Sequence, residues 1–191
     1  MEESNIKEIE DILLKYEVLQ KGHFLLTSGL HSEFYFEKSK ILQYPPLVEK
    51  FSSRIKERFF SEGIELVVGP TTGGVVIAYE VARQLSARFS YAEREGEGRK
   101  IRKGFKINKG ERVLVVDDVL TTGGSIFETL NALKDYDVNL IGIGVFIDRS
   151  KGVNFPVPLF SCYRKEIINY EPKACPLCQS GIKLLTPGKG R

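Results

Sequence analysis

Asp117 and Asp118 stand next to each other at the end of an apolar run, Val113, Leu114, Val115 and Val116. Such a run suits a buried strand of a parallel sheet. A turn of hydroxyls and glycines follows, Thr121, Thr122, Gly123, Gly124 and Ser125, and then Ile126, Leu130 and Leu133 at helical spacing. The first N–H groups of a helix lack intrahelical partners, and its dipole favours an anion there. Glycines let that backbone approach a phosphate, and hydroxyls add donors. Two carboxylates would repel a phosphate unless they face another part of the same ligand. Ribose hydroxyls donate to carboxylates, so the stretch reads as a site for a ribose 5-phosphate group. No Lys follows the glycines, which excludes a Walker loop, and GxGxxG is absent. The plain structural alternative is a strand-turn-helix with acids at its edge.

A second unit of this kind precedes it. Residues 64–68 form a short apolar strand, followed by Gly69, Pro70, Thr71, Thr72, Gly73 and Gly74, then Val76, Ala78, Tyr79, Ala82 and Leu85. Two such loops on one sheet can grip two ends of one ligand. A third chemical position is Arg149, after the apolar run 138–147 and Asp148. An Arg at the carboxyl edge of a parallel sheet sits where ligands bind in such folds, and its planar fork suits a carboxylate. The alternative for Arg149 is an ion pair with Asp148.

Residues 113–125 resemble the signature of the type I phosphoribosyltransferases, which use 5-phosphoribosyl 1-diphosphate. The resemblance implies that Asp117, Asp118, Val119, Leu120, Thr121, Thr122, Gly123, Gly124 and Ser125 bind the phosphoribosyl group, and that Thr72 and Gly73 take the pyrophosphate. Residues 26–36, with Ser28-Gly29 before an aromatic strand, are similar to the N-terminal motif of the orotate branch. By that likeness Tyr35 and Phe36 lie against the orotate ring, Arg149 meets its carboxylate, and Thr121 lies near sugar and base. Thr27 stands where many members have Lys, and Thr72-Gly73 where some have Tyr-Lys. His31 reads as a surface or turn residue.

Residues 93–104 are charged, glycine-bearing and almost free of apolar side chains, a composition of mobile loops. The resemblance makes them a basic lid over the diphosphate, reaching into a neighbouring subunit, with Arg94, Lys100 and Lys103 as catalytic cations beside Asp118. It also implies Mg2+ as cofactor and a homodimer with shared active sites. Orotate and phosphoribosyl diphosphate are the expected partners, with no nucleic acid and no membrane. A phosphoribosyltransferase for another base, or a phosphoribosyl diphosphate sensor in a transcription regulator, are the alternatives. The sensor would need a DNA-binding element, for which there is no room before Gly22.

These sites need a scaffold. The 191 residues, 42% apolar and 28% charged, suffice for one domain with a substantial core. Strands alternating with helices imply an α/β fold, a mostly parallel twisted sheet with helices on both faces. A small hood is expected from residues 1–40 and 151–191, with the core over 41–150. Ser4 or Asn5 is expected to cap a first helix, and residues 18–26 to lead out of it. Pro45-Pro46 opens a helix whose buried side is Leu47, Phe51, Ile55 and Phe59, and Gly63 ends it. Residues 89–92 read as a strand, and 105–107 are expected to pair with the following strand through the turn 108–110.

A net charge of +3 is too weak to argue for nucleic acid. No run of about 18 apolar residues exists, so no membrane helix is expected. The acidic start lacks a signal-peptide core, and three cysteines fit a reducing cytoplasm. Cys175 and Cys178 form a lone CxxC, half a zinc site, with Cys162 as a possible third ligand and no neighbouring His to complete it. No metal-binding residue is therefore assigned; the tail is expected to pack on the domain, and residues 187–191 to be mobile.

Overall fold

The structure, a computed structural model, describes residues 2–26 and 28–187. Thr27 and the last four residues of the tail fall outside them. The chain divides into two compact units, Leu42–Lys165 and the pair of segments Met1–Ile41 and Glu166–Arg191.

The larger unit opens with helix α3 (Pro45–Phe59), after the short helix α2 (Lys38–Gln43) that the reading of the sequence missed. Proline costs little in the first turn, where its missing N–H would have had no partner. Leu47, Phe51, Ile55 and Phe59 are all buried, as their spacing requires. Gly63, at φ +59°, closes the helical turn that follows, as expected. Then come strand β3 (Leu66–Pro70), helix α4 (Gly73–Leu85), strands β4 (Arg88–Glu95), β5 (Gly98–Ile101) and β6 (Arg112–Leu120), helix α5 (Gly124–Leu133), and strands β7 (Asn139–Asp148) and β8 (Leu159–Arg164). They form a six-stranded sheet in the order β5-β4-β3-β6-β7-β8. All neighbours are parallel except the antiparallel β4–β5 pair.

Side chains alternate across a strand, so each strand feeds two layers. Val113, Val115, Ile143 and Val145 pack with Ile126, Ala132 and Leu133 of α5. On the opposite face Phe146 packs on Phe51 of α3, ring centroids 5.3 Å apart. The mostly parallel sheet with helices on both faces is thus observed. Residues 151–165, expected in the hood, belong to this unit, because β8 pairs along β7 from Leu159 to Arg164.

Residues 93–104, read from the sequence as a loop, are built on a hairpin. Arg94 pairs with Arg99, Glu93 with Lys100 and Glu95 with Gly98 in a tight antiparallel hairpin, turning at Gly96 with φ +57°. A glycine of positive φ at the first turn position is what a two-residue hairpin turn demands. Residues 105–107 do not join the sheet. Phe105 instead stacks edge-on against Phe89 and Tyr91.

The smaller unit begins with helix α1 (Glu2–Lys15), so Ser4 and Asn5 lie within the helix rather than ahead of it. Residues 18–26 are largely strand β1 (Leu19–Leu25), paired antiparallel with β2 (His31–Phe36). Strand β9 (Asn169–Tyr170) adds to the other edge of β2, and the short helix α6 (Pro176–Gln179) follows. Ile9, Leu13, Val18, Leu19, Phe24 and Phe36 make a modest core.

Candidate functional site

Strand β6 does not stop before the acids but continues through them to Leu120. Asp117 and Asp118 therefore point to opposite faces of the sheet. Each serves a different loop. Asp117 Oδ2 accepts a hydrogen bond of 2.5 Å from Ser125 Oγ, on the first turn of α5, and its Oδ1 accepts from the Asp118 N–H at 2.8 Å. Asp118 Oδ1 accepts from the Val119 N–H at 2.7 Å, while Oδ2 lies where a Cβ on Gly73 would fall, at the start of α4. Both carboxylates are buried, at 5% and 3% exposure, so they depend on protein or ligand donors more than on water.

The turn after β6 is shaped for close approach. Thr121, Thr122 and Gly124 are exposed, while Gly123 is buried at φ +81° against Phe127, Val153 and Phe155. Gly123 flanks α5, whose first N–H groups point outward from the helix and face the exposed turn. The second loop is as tight. A Cβ on Gly69 would strike the Gly74 carbonyl, so that position admits no side chain, and one on Gly73 would force the Asp118 carboxylate to turn aside. The Thr71–Thr72 peptide is cis, and Thr72 is exposed.

Register brings Arg149 to the same edge. Leu120 pairs with Asp148, and the Arg149 N–H donates to the Leu120 carbonyl at 3.0 Å. Arg149 therefore begins where the turn 121–125 begins. The Asp148 carboxylate accepts from the Ser150 N–H at 2.8 Å and lies 3.6 Å from the Arg164 guanidinium. Its ionic partner is Arg164 of β8, a residue the sequence did not single out. Only the pairing of β7 with β8 could reveal it.

The basic hairpin is matched by acids. Arg94 donates to Glu128 of α5 at 3.1 Å, and Arg99, only 8% exposed, lies 3.2 Å from the same carboxylate. Arg99 also donates to Thr71 Oγ1 at 3.0 Å and to the Ala92 carbonyl at 3.1 Å. It ties the start of the second loop to the sheet. Lys100 pairs with Glu95 and Arg102 with Glu93, while Lys103 is exposed in the turn beyond. Arg94 thus ties the hairpin to α5 through Glu128.

In the smaller unit Tyr35 and Phe36 are neighbours on β2 and face opposite ways. Phe36 is buried and Tyr35 half-buried, its ring 5.7 Å from that of Phe24. The two cannot stack on one ligand ring as a pair. His31 is buried, not a surface residue. Cys162 is not in the group of metal-competent side chains that holds both CxxC sulfurs; its thiol donates to the Phe51 carbonyl at 3.3 Å.

Comparison with known proteins agrees with this geometry. The family model described as phosphoribosyl transferase domain matches residues 38–176. The orotate phosphoribosyltransferase of Caldanaerobacter subterraneus subsp. tengcongensis is 48% identical over 183 residues, 95% of this chain and 96% of that protein. That of Thermoanaerobacter sp. is also 48% identical, with the same coverage. Among solved structures, the orotate phosphoribosyltransferase from Aeropyrum pernix superposes with a TM-score of 0.69 at 26% identity, covering 81% of this chain and 92% of the other.

Proposed function

The chain belongs to the orotate phosphoribosyltransferases, within the phosphoribosyl transferase domain family, and on that premise we propose how its residues divide the work. The reaction transfers the 5-phosphoribosyl group from 5-phosphoribosyl 1-diphosphate to orotate, giving orotidine 5'-monophosphate and pyrophosphate in pyrimidine biosynthesis. The observation that carries the reading is the pair of buried acids on β6, one per loop, flanked by Arg149 at the same strand end.

The α5 turn, with Thr121, Thr122, Gly123, Gly124 and Ser125, takes the 5-phosphate on its outward N–H groups and hydroxyls. Val119 and Leu120 present this turn at the strand end. The loop at Thr72 and Gly73 faces the pyrophosphate with backbone N–H groups and the exposed Thr72 hydroxyl, since it holds no cationic side chain. Asp117 and Asp118 accept from the ribose hydroxyls. When the bond to pyrophosphate breaks, positive charge grows on the ribose ring, and two buried carboxylates nearby favour it. Arg149 orients orotate through its carboxylate.

Magnesium neutralises a diphosphate leaving group. Among the described residues the one group of three or more metal-competent side chains lies in the smaller unit and has no carboxylate. Asp118 Oδ2, beside the start of α4, suits an ion carried mainly by substrate oxygens and water. The exposed cations Lys100 and Lys103 suit contact with the diphosphate of a second copy, in a homodimer with shared sites. Three unpaired thiols are in keeping with a reducing cytoplasm. No described helix is long and apolar enough to cross a membrane.

Pyrophosphate release from phosphoribosyl diphosphate and magnesium, with each nucleobase supplied in turn, tests the reading. Orotate alone should support turnover; release with adenine or uracil and none with orotate overturns it. An Asp118→Asn variant that kept its turnover would remove any role for Asp118 as a base toward the orotate nitrogen.

A further inference from the structure

The smaller unit carries a chemical site that the transfer reaction does not use. His23, His31, Cys175 and Cys178 each aim one ligand atom at a common point, and the four atoms all lie within 4.8 Å of one another. We propose that this cluster is a structural zinc site of His2Cys2 type that pins the C-terminal segment to the β1–β2 hairpin.

Most of the distances suit the ion, and the widest, within 4.8 Å, closes on binding. Zinc holds nitrogen at about 2.0–2.1 Å and sulfur at about 2.3 Å, so tetrahedral angles put N and S ligands about 3.6 Å apart and two nitrogens about 3.3 Å apart. Here Cys175 Sγ is 3.5 Å and Cys178 Sγ 3.7 Å from His23 Nε2, and Cys178 Sγ is 3.3 Å from His31 Nδ1. The two nitrogens are 2.9 Å apart, a few tenths closer than a bound ion would hold them. His23, His31 and Cys175 are buried, and Cys178 is exposed.

A hydrogen bond outside the cluster sets the tautomer of the neutral His23 ring. Its Nδ1 lies 2.7 Å from the Ile182 carbonyl, which can only accept, so Nδ1 carries the proton and Nε2 presents a lone pair inward. Three groups crowd that one lone pair: His31 Nδ1 and both sulfurs. One proton from His31 would satisfy it and leave two thiols aimed at an occupied atom. A metal ion uses all four lone pairs at once.

The backbone is arranged to bring the ligands together. Lys21 pairs with Phe34 and Phe24 with Ser32, so Gly22 and His23 together stand opposite Glu33. This two-against-one bulge re-aims His23, as bulges beside functional sites do. His31 opens β2 across from Leu25, and Cys175 and Cys178 bracket the first turn of α6. The C-terminal segment is laced to both edges of the hairpin. Tyr170 pairs with His31, Leu185 N–H donates to the His23 carbonyl at 2.7 Å, and Leu25 N–H donates to the Leu185 carbonyl at 2.8 Å. His23 and Cys175 are 152 positions apart, so the ion closes a very long loop, where a cross-link constrains the unfolded chain most. Four protein ligands leave no open position, which makes the site structural rather than catalytic.

Metal analysis of the full-length protein, purified without chelator from zinc-supplemented cells, tests this. One zinc per chain is expected. Exchange for Co2+ should give the intense visible bands of a tetrahedral site with thiolate ligands. Cys178→Ser should lose most of the metal, about tenfold or more, while Cys162→Ser keeps it. Wild-type protein that holds no stoichiometric metal and takes up no Co2+ overturns the proposal. So does an octahedral cobalt spectrum, or a Cys178→Ser variant with undiminished metal. Should Cys178→Ser fail to fold, the wild-type cobalt spectrum alone decides. None of these readouts depends on transferase activity.

Discussion

Ser125→Ala separates the two tasks that fall to one hydroxyl. Ser125 Oγ donates to Asp117 Oδ2 at 2.5 Å, and a hydroxyl has a single proton to give. In the free protein that proton is spent on a carboxylate that is 5% exposed. Removing it leaves a buried charged acceptor one hydrogen bond short, at a cost of about 1.5–3 kcal/mol. For a chain of this size each kcal/mol lowers the melting temperature by about 2–4 °C, so a fall of about 3–12 °C is expected without ligand. In the site proposed above, binding of phosphoribosyl diphosphate turns the hydroxyl to the 5-phosphate, and a ribose hydroxyl replaces it on Asp117. The variant then loses one charge-assisted bond in each state, and the losses nearly cancel in the binding equilibrium. The KM for phosphoribosyl diphosphate should change by no more than about threefold, which is under 1 kcal/mol. Thermal melts without ligand and initial rates over a range of phosphoribosyl diphosphate test both halves. A variant that melts with the wild type but shows a KM raised more than about tenfold would refute the reasoning, because the hydroxyl would then be idle until phosphate arrives.

Arg149→Ala should raise the KM for orotate on the order of 100-fold, as expected for losing a forked carboxylate contact, and leave that for phosphoribosyl diphosphate nearly unchanged. Equal effects on both substrates would mean that Arg149 does not read the base. Gly73→Ala puts a methyl group against the Asp118 carboxylate and 3.3 Å from Leu42, so loop or acid must move. A displacement near 1 Å should lower kcat/KM on the order of 100-fold with the fold retained, measured by rates and circular dichroism. Cys162 should resist thiol reagents in the native state, since burial pushes its pKa far up and keeps it protonated. Its reaction at mildly alkaline pH without denaturant, followed by mass spectrometry, would contradict that burial.

Local patterns in the sequence account for much of the scaffold. The four-residue spacing of Leu47, Phe51, Ile55 and Phe59 specified the buried side of α3, and Gly63 its end. The apolar runs before Asp117 and before Asp148 became the central strands β6 and β7. Both strand–loop–helix units form where glycines and threonines cluster, since turn chemistry and helix starts depend on neighbours in the chain. The charged stretch 93–104 read as mobile because composition carries no partner. Its order comes from Glu128 on α5, 34 positions from Arg94.

The residue types that can hold a phosphorylated sugar, and the strand-turn-helix on which they stand, were set by the sequence itself, because those are short-range properties. The tertiary structure alone decided which charge meets which. Asp117 and Asp118 part company because β6 stays paired with β7 as far as Leu120, so strand alternation sends one to each loop. His23 reaches Cys175 only because a bulge turns it and the C-terminal segment returns to pair with the hairpin. Such meetings arise from contacts between distant segments, which spacing along the chain does not encode.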